Sequence, residues 1–147
     1  MNNDENTKYL IFSDRFCRLS LEILNCYFKN VNSVVRTNFS PNELKVIEST
    51  FENITEDALC VTHPQELLIK ENNFYNVGQI AIQIKIFDSS SSRNGPTKNI
   101  IIEENEIQNC YNGIRLKCNK KKYSFMKDHA KILSNKLYNL GKNGIIL

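Results

Sequence analysis

Side chains able to carry out acid–base chemistry are few and scattered in this 147-residue sequence. Hydrolysis of a glycosidic bond needs two carboxyl groups that flank the bond, and no two of Asp57, Asp88 and Asp128 are neighbours in the chain. Glu103 and Glu104 are adjacent, but they follow a strand-like run, where they are expected to be solvating charges at a corner. The sequence therefore identifies no catalytic residue and leaves open whether the protein is an enzyme.

Histidine and cysteine residues do not form the pattern of a metal centre. His63 and His129 each lie in a connection, where a surface position is expected instead of a general base. The cysteines lack Cys-x-x-Cys spacing, so neither a zinc site nor a disulfide framework is predicted. We expect no metal and no cofactor, and we expect small thiols buried or half-buried in a reducing compartment. The five cysteines are Cys17, Cys26, Cys60, Cys110 and Cys118.

Two rows of polar side chains are the best candidates for binding. Where the apolar residues of a strand point into a core, the residues between them point outward. Such a face suits an extended polysaccharide, including an anionic one held by Arg and Lys; the alternative is a solvated face whose charges keep the strands soluble. One row contains Arg36, Cys60, Gln83 and Arg115, the other contains Thr62, Lys85 and Lys117, and the predicted binding residues are Arg36, Gln83, Lys85, Arg115 and Lys117.

Composition agrees with one globular domain and excludes two classes of partner. Hydrophobic residues make up 41% of the chain, and the net charge of +3 permits an acidic partner without requiring one. The basic run Lys120 to Lys122 has the character of a solvated loop, so nucleic-acid binding is not expected. No window of 18 consecutive apolar residues occurs, so no membrane span is expected.

The N-terminal residues give limited information on localisation. Residues 1–8 form a polar tail, and the apolar stretch Tyr9 to Phe12 is too short for the core of a signal peptide. The protein is therefore expected to be intracellular, and cytoplasmic if the chain is complete, unless a signal has been removed.

The elements that must position the candidate rows are revealed by an internal repeat. Five segments align, and each has apolar residues in three columns. Two residues after the third column every copy has an asparagine, and a second strand-like run follows. The columns are Leu21, Leu44, Leu67, Ile100, Ala130; Ile23, Val46, Ile69, Ile102, Ile132; and Phe28, Phe51, Phe74, Ile107, Leu137; the asparagines are Asn30, Asn53, Asn76, Asn109 and Asn139.

The spacing between copies is 23, 23, 33 and 30 residues. The two longer intervals contain insertions at residues 87–98 and 118–128, both after the second strand-like run, so they are expected at the same corner of successive repeats. The domain is predicted to span residues 9–147, with residues 1–8 as a tail.

This repeat predicts an all-β fold, a single-stranded right-handed parallel β-helix of five to six coils. Apolar spacing of two, interrupted by corners, is strand periodicity, and stacked copies share one core. Asparagine tolerates the left-handed backbone of a corner, and stacked amides can bond to one another as a ladder. Asn53-Ile-Thr55 is also a glycosylation sequon. A leucine-rich repeat is disfavoured because its Leu spacing differs.

The repeat resembles that of the pectin-lyase-like superfamily. The stretch from Ile100 to Leu116 is especially similar to repeats of the copper-processing NosD family and of related carbohydrate-binding and sugar-hydrolase proteins. The resemblance covers residues 9–147 and implies the fold, with carbohydrate binding as an expected role. No Met or His cluster supports a copper role, and the family's catalytic residues have no counterparts here.

The two ends of a solenoid need caps. Tyr9 to Leu19 is expected to form a half-coil cap, whereas Ile145 to Leu147 stops within a coil and leaves an open strand edge. The chain is therefore expected to be a fragment of a longer solenoid or to associate end to end. The leading functional hypothesis is a carbohydrate-associated β-helix, and the alternative is a structural or protein-interaction solenoid with no small ligand.

Overall fold

The computed structural model describes residues 9–13, 20–38, 41–86, 97–118 and 129–147. Within these ranges the chain forms sixteen β-strands, all paired in parallel, in three sheets. Sheet A contains β1 (Ile11–Ser13), β4 (Val35–Thr37), β7 (Leu59–Thr62), β10 (Ile80–Ile86), β13 (Asn112–Cys118) and β16 (Asn143–Ile146). Sheet B contains β2 (Ser20–Leu24), β5 (Glu43–Ile47), β8 (Glu66–Lys70), β11 (Asn99–Glu103) and β14 (Ala130–Leu133). Sheet C contains β3 (Tyr27–Val31), β6 (Thr50–Ile54), β9 (Asn73–Val77), β12 (Glu106–Gln108) and β15 (Lys136–Tyr138).

The chain passes through sheets B, C and A in turn, so each coil has three strands. Five such coils follow β1, and the predicted parallel β-helix is confirmed. The structure has one more strand per coil than the repeat pattern shows. A corner separates the third apolar column from the first two, so the first two columns lie on sheet B strands and the third lies on sheet C strands. Right-handed winding is the sense that nearly all parallel crossovers take, and it stays a prediction.

The core is a stack of aligned apolar columns. Leu44 pairs with Leu67, and Leu67 pairs with Ile100, as the repeat predicts. In the middle coils these side chains are almost completely shielded from solvent. Each coil thereby buries its apolar residues against its two neighbours, which a single repeat could not do alone.

The aromatic column supplies a direct check of the alignment. The rings of Phe28 and Phe51 are 5.2 Å apart, and those of Phe51 and Phe74 are 4.7 Å apart with an interplanar angle of 6°. These distances are those of stacked rings. The prediction that the three phenylalanines are nearest neighbours along one axis is confirmed.

A left-handed backbone occurs at two corners in each of the five described coils. The first corner joins sheets B and C, where Glu48, Glu71 and Glu104 have φ of 51°, 56° and 57°. Glu104 is thus a corner residue as predicted, although Glu103 ends β11. The second left-handed position lies at the end of the sheet C strands, and it is the asparagine column of the repeat. Its φ values are 57° at Asn30, 56° at Asn53, 55° at Asn76, 54° at Asn109 and 52° at Asn139.

The first three of these asparagines form a ladder on the surface, which we call the outer ladder. Asn53 Nδ2 donates to Asn30 Oδ1 at 3.0 Å, and Asn76 Nδ2 donates to Asn53 Oδ1 at 3.0 Å. The predicted amide ladder is therefore confirmed along these three coils. The Asn53 amide of the glycosylation sequon is bonded on both sides.

A second ladder, which we call the inner ladder, lies inside the first corner. Asn72 Nδ2 donates to Asn105 Oδ1 at 3.0 Å, and Asn105 Nδ2 donates to Asn135 Oδ1 at 2.9 Å. Ser49 continues the column, since its backbone N–H donates to Asn72 Oδ1 at 2.9 Å. Cys26 begins it, and its N–H donates to Ser49 Oγ at 3.1 Å.

The remaining sequence-based expectations are met in part. Cys60 and Cys110 are buried and Cys26 and Cys118 are half-buried, all as free thiols, while Cys17 lies outside the described residues. Burial raises the pKa of the Cys110 thiol to about 11. Ile11–Ser13 of the predicted N-terminal cap forms β1, but residues 14–19 lie outside the described part, as do residues 1–8, 87–96 and 119–128 of the predicted tail and insertions.

Among the described residues there is no helix long and apolar enough to cross a membrane.

Candidate functional site

The outer face of sheet A carries the residues that the sequence predicts for binding. Arg36 pairs with Cys60, Cys60 pairs with Gln83, and Gln83 pairs with Arg115, so the first predicted row is continuous across four strands. In the second row Lys85 lies between Thr62 and Lys117. The alternation of the strands therefore aligns the five candidates as two adjacent rows.

Exposure differs sharply along these rows. Cys60 is only 3% exposed and Gln83 only 6%, and the Cys60 thiol donates to Gln83 Oε1 at 3.4 Å. Arg36, Lys85 and Arg115 are half-buried, and Lys117 is exposed. The centre of the first row is thus shielded, and the cationic groups lie around it.

Arg36 already has an aromatic partner at the start of sheet A. Its Nη1 donates to the Tyr9 hydroxyl at 2.7 Å, and its guanidinium carbon lies 5.0 Å from the centre of the Tyr9 ring. The Tyr9 ring in turn stacks on Phe12 with centroids 5.7 Å apart. A hydrogen bond and a cation–π contact together hold the guanidinium in place.

Asp57 brings a carboxyl group near this cationic face. Its Oδ1 accepts a hydrogen bond from the Ile80 N–H at 3.1 Å. Burial raises the pKa of the Asp57 carboxyl, while that hydrogen bond and the positive charges of Lys85 and Arg36 oppose the rise. The face therefore combines a partly desolvated acid with cations, which the sequence alone did not bring together.

The outer face of sheet C carries exposed aromatic side chains that the sequence analysis missed. Tyr75 pairs with Gln108, and Gln108 pairs with Tyr138, so the three form one row along the last three coils. Tyr75 is 39% exposed and Tyr138 37%. Because the next residue in each strand or turn is an asparagine of the second corner, the row runs beside a line of amides.

Two of the sheet C tyrosines, Tyr138 and Tyr27, are hydrogen-bonded to carboxylates. A hydrogen bond to Glu106 raises the pKa of the Tyr138 hydroxyl. Tyr27, in the first coil, is hydrogen-bonded to Glu52, which lies 2.9 Å from Lys29 Nζ. The hydrogen bonds from Tyr27 and Lys29 lower the pKa of Glu52. Glu106 and Glu52 each lie on the strand next to that of the tyrosine they bond, so each tyrosine reaches across to the neighbouring coil.

A shallow depression of about 400 Å³ lies at the first corner, beside the row of Tyr75, Gln108 and Tyr138. Its wall offers carboxylates, amides, a hydroxyl and an amino group beside a similar area of apolar surface. Glu106 lies in the wall, and its hydrogen bond to Tyr138 connects the depression to that row. The lining residues are Glu71, Asn73, Glu104, Asn105, Glu106, Ser134 and Lys136.

The carboxylates of the first corner are tied to a lysine. Lys70 Nζ lies 3.4 Å from Glu71, 3.4 Å from Glu103 and 3.3 Å from Glu104. Hydrogen bonds and charge from Lys70 help to lower the pKa of Glu104, after the larger effect of its hydrogen bond with Glu71. Lys70 therefore counters part of the negative charge that the three carboxyl groups concentrate at this corner.

The described residues contain no cluster of three or more His, Cys, Asp or Glu side chains that could hold a metal ion. His129 lies just before β14, where its Nδ1 is 2.8 Å from the Lys98 carbonyl oxygen. His63 adopts a left-handed backbone with φ of 49° just after β7. Both histidines are thus in connections, as predicted.

Two faces therefore stand as candidate sites, a cationic one on sheet A and an aromatic one on sheet C. The sequence signal for the second was present in the alignment of the repeats, since Tyr75 and Tyr138 occupy the same position of their copies. No family model, no curated protein and no solved structure matches the chain.

Proposed function

We propose that the protein binds an extended polysaccharide along the outer face of sheet C. The observation that carries this proposal is the row of Tyr75, Gln108 and Tyr138, which we call the tyrosine row. It joins exposed aromatic surface to hydrogen-bonding side chains on one regular face.

The chemistry of the tyrosine row suits a sugar ring, which has an apolar C–H face and an edge of hydroxyl groups. An exposed tyrosine offers a flat apolar surface to the first and keeps a polar tip for the second. Gln108 and the neighbouring asparagines supply amide donors and acceptors for hydroxyl groups. A rigid sheet also binds with little loss of conformational entropy.

Spacing along the solenoid favours a polymer over a single sugar. Neighbouring strands of a sheet lie about 4.8 Å apart, so Tyr75 and Tyr138 are about 10 Å apart at the backbone. An extended glycan lying along the axis would meet an aromatic ring at every second coil. The depression beside Glu106 would accept a substituent of that chain.

We further propose that the chain is a relative of the pectin-lyase-like superfamily. Three strands per coil, one in each parallel sheet, support this assignment together with stacked aromatic side chains and an asparagine ladder at a corner. Carbohydrate binding is then the expected role for an outward sheet face. Catalytic residues remain unassigned.

A second candidate site for an acidic polysaccharide is the cationic face of sheet A. Its support is the alignment of Lys85 with Lys117 and of Gln83 with Arg115 on adjacent strands. The burial of Gln83 limits contact to the rim, where Arg36 and Lys117 lie at opposite ends. The two faces differ in charge, so ligand choice separates them.

The test is affinity electrophoresis against neutral glycans such as β-glucan and xylan and anionic ones such as polygalacturonate, followed by calorimetry with oligosaccharides. We expect a neutral β-linked glycan to bind, and Tyr138→Ala to weaken binding about tenfold, equivalent to about 1.4 kcal/mol. Tyr75→Ala is expected to act in the same direction.

Tyr27→Ala is the matched control, because Tyr27 is an exposed tyrosine of sheet C in the first coil, away from the row. Retained binding of a short oligosaccharide by this variant supports the proposed site. Binding that Arg115→Ala abolishes and Tyr138→Ala leaves unchanged would move the site to sheet A. No binding to any glycan would instead favour the alternative, a structural or protein-interaction solenoid.

A further inference from the structure

The outer face of sheet B carries one aliphatic side chain in each of the five described coils. Each of these residues adjoins a core residue in its strand, so the alternation of the strand turns it away from the core. The side chains in the second to fourth coils are half-buried, and those in the first and fifth are 46% and 48% exposed. We call this set the aliphatic stripe, and its members are Leu24, Ile47, Leu68, Ile101 and Leu133.

The aliphatic stripe is continuous along the axis of the solenoid. Leu24 pairs with Ile47, and Leu68 pairs with Ile101. The step from Ile47 to Leu68 joins diagonal neighbours on adjacent strands, and so does the step from Ile101 to Leu133. Five strands spaced about 4.8 Å apart give the stripe a length of about 19 Å. A contiguous row of this kind marks an interaction surface, whereas isolated exposed aliphatic residues do not.

A hollow of about 180 Å³ lies near the middle of the aliphatic stripe. Leu68 and Ile101 contribute aliphatic surface to its lining, and Glu43, Lys45 and Glu66 contribute charged groups. Such a hollow suits a lysine or arginine side chain, because the methylene stem packs on aliphatic surface while the charged head reaches a carboxylate. The surface therefore favours a partner that is both apolar and cationic.

Carboxylates outnumber lysines on both sides of the aliphatic stripe. Lys45 Nζ lies 2.9 Å from both Glu22 and Glu43, and Lys70 is shared among three glutamates at the corner with sheet C. The charged residues described on this face and corner are seven glutamates, Glu22, Glu43, Glu48, Glu66, Glu71, Glu103 and Glu104, and four lysines, Lys45, Lys70, Lys98 and Lys131. Seven negative and four positive charges give this region a net charge of −3, although the whole chain carries +3. The face is therefore complementary to a basic partner.

From these features we infer that the outer face of sheet B docks a basic amphipathic helix of a partner protein. The aliphatic side chains of the helix lie on the aliphatic stripe, and its Lys and Arg side chains reach the flanking carboxylates. Nucleic acids and anionic membranes are repelled by the same carboxylates. This inference is independent of the proposed polysaccharide binding on sheet C.

The shape of the stripe favours a helix over an extended segment. The face of a sheet offers no free backbone groups, so an extended segment docked there would find no main-chain partners, whereas a helix pairs its own backbone internally. At a rise of 1.5 Å per residue, a helix of about 13 residues covers the length of the stripe. An amphipathic helix of that length presents one side of aliphatic residues with charged residues beside them.

The test is fluorescence anisotropy with labelled helical peptides of about 15 residues. The probe has leucines on one side of the helix and lysines on the other, and two comparison peptides replace either the lysines by glutamate or the leucines by glutamine. We expect the probe to bind with an affinity that falls as the salt concentration rises, and each comparison peptide to bind more weakly by about tenfold or more. In the protein, Leu68→Gln and Ile101→Gln should each weaken binding of the probe about tenfold.

Tyr111→Gln is the matched control for these two variants, because Tyr111 is 50% exposed and lies just before β13, outside sheet B. It should bind the probe as the wild type does, and circular dichroism should show the same β-sheet content in all variants. The inference is overturned if the probe does not bind, or if the lysine and glutamate peptides bind equally. Binding that Leu68→Gln and Ile101→Gln leave unchanged, or that Tyr111→Gln weakens as much, would also contradict it.

Discussion

The inner and outer ladders belong to columns that lie four residues apart in every coil, yet their amides are held in different ways. In the inner ladder Asn105 is 1% exposed and uses its full hydrogen-bonding capacity. Its Oδ1 accepts from both the N–H and the Nδ2 of Asn72, and its Nδ2 donates to the Ile69 carbonyl and to Asn135. In the outer ladder Asn53 makes one side-chain bond to each neighbour at the surface.

Backbone geometry separates the ladders further. Asn53 has φ of 56°, in the left-handed region, and Asn105 is not among the residues with positive φ. Asparagine is therefore favoured in the outer ladder mainly by its tolerance of that backbone. In the inner ladder it is favoured because a buried corner needs donors and acceptors for main-chain groups. One residue type thus meets two separate physical requirements.

The largest effect is expected from Asn105→Leu, a substitution of similar size without polar atoms. It leaves the Asn72 N–H and the Ile69 carbonyl without this partner inside the core. Asn135 Oδ1 keeps only its bond from the Asn105 backbone N–H. Each unsatisfied buried group costs about 1–3 kcal/mol, so the free energy of unfolding should fall by about 3–5 kcal/mol. Urea unfolding followed by circular dichroism measures this; a loss below about 1 kcal/mol would remove the distinction between the ladders.

An intermediate effect is expected from substituting Asn53 and Asn105 each by alanine and by glycine. The difference in stability between the alanine and glycine variants should have opposite signs at the two positions. At Asn53 alanine is the worse replacement, because a left-handed backbone costs an L-residue about 1–2 kcal/mol that glycine avoids. At Asn105 glycine is the worse replacement, since it adds flexibility without relieving any strain. Thermal unfolding of the four variants gives the comparison, and the same order at both positions would contradict it.

The smallest effect is expected at the glutamate corner, where Glu48→Asn should stabilise the protein. Glu48 is exposed and has φ of 51°. Asparagine tolerates this backbone better than glutamate, so a gain of about 0.5–1 kcal/mol is expected. Glu43→Asn serves as the control, since Glu43 begins β5 in an extended conformation. A destabilised Glu48→Asn chain would show that φ does not limit this corner.

The outer ladder was predictable from the sequence and the inner ladder was not, for a simple reason. All five copies have asparagine in the outer column, so the column is visible without a structure. The inner column contains Cys26 and Ser49 in the first two copies, and its asparagines begin only at Asn72. Because a serine hydroxyl can take the place of an amide in this ladder, no single residue type recurs in all five copies of the inner column.

The candidate sites divide in the same manner. Strand alternation was sufficient to align Gln83 with Arg115, because it depends only on local geometry. The burial of Gln83 depends on what packs over the outer face, which alternation does not encode. The tyrosine row was missed because the candidate residues were chosen for their charge, which favours Arg and Lys. The position also has Gln108 in the copy between those of Tyr75 and Tyr138, so the column is not uniformly aromatic.

The in-register coils also determine how the protein should lose its structure. Each coil contacts only the coil on either side, so the free energy of unfolding is approximately a sum over neighbouring pairs. Among the described residues the core side chains of the fifth coil are only partly buried, whereas Phe74 is 1% exposed. We therefore expect protection from hydrogen exchange to rise from the fifth coil toward Phe74. Melting of this molecule is accordingly expected to proceed as a boundary that moves along the axis.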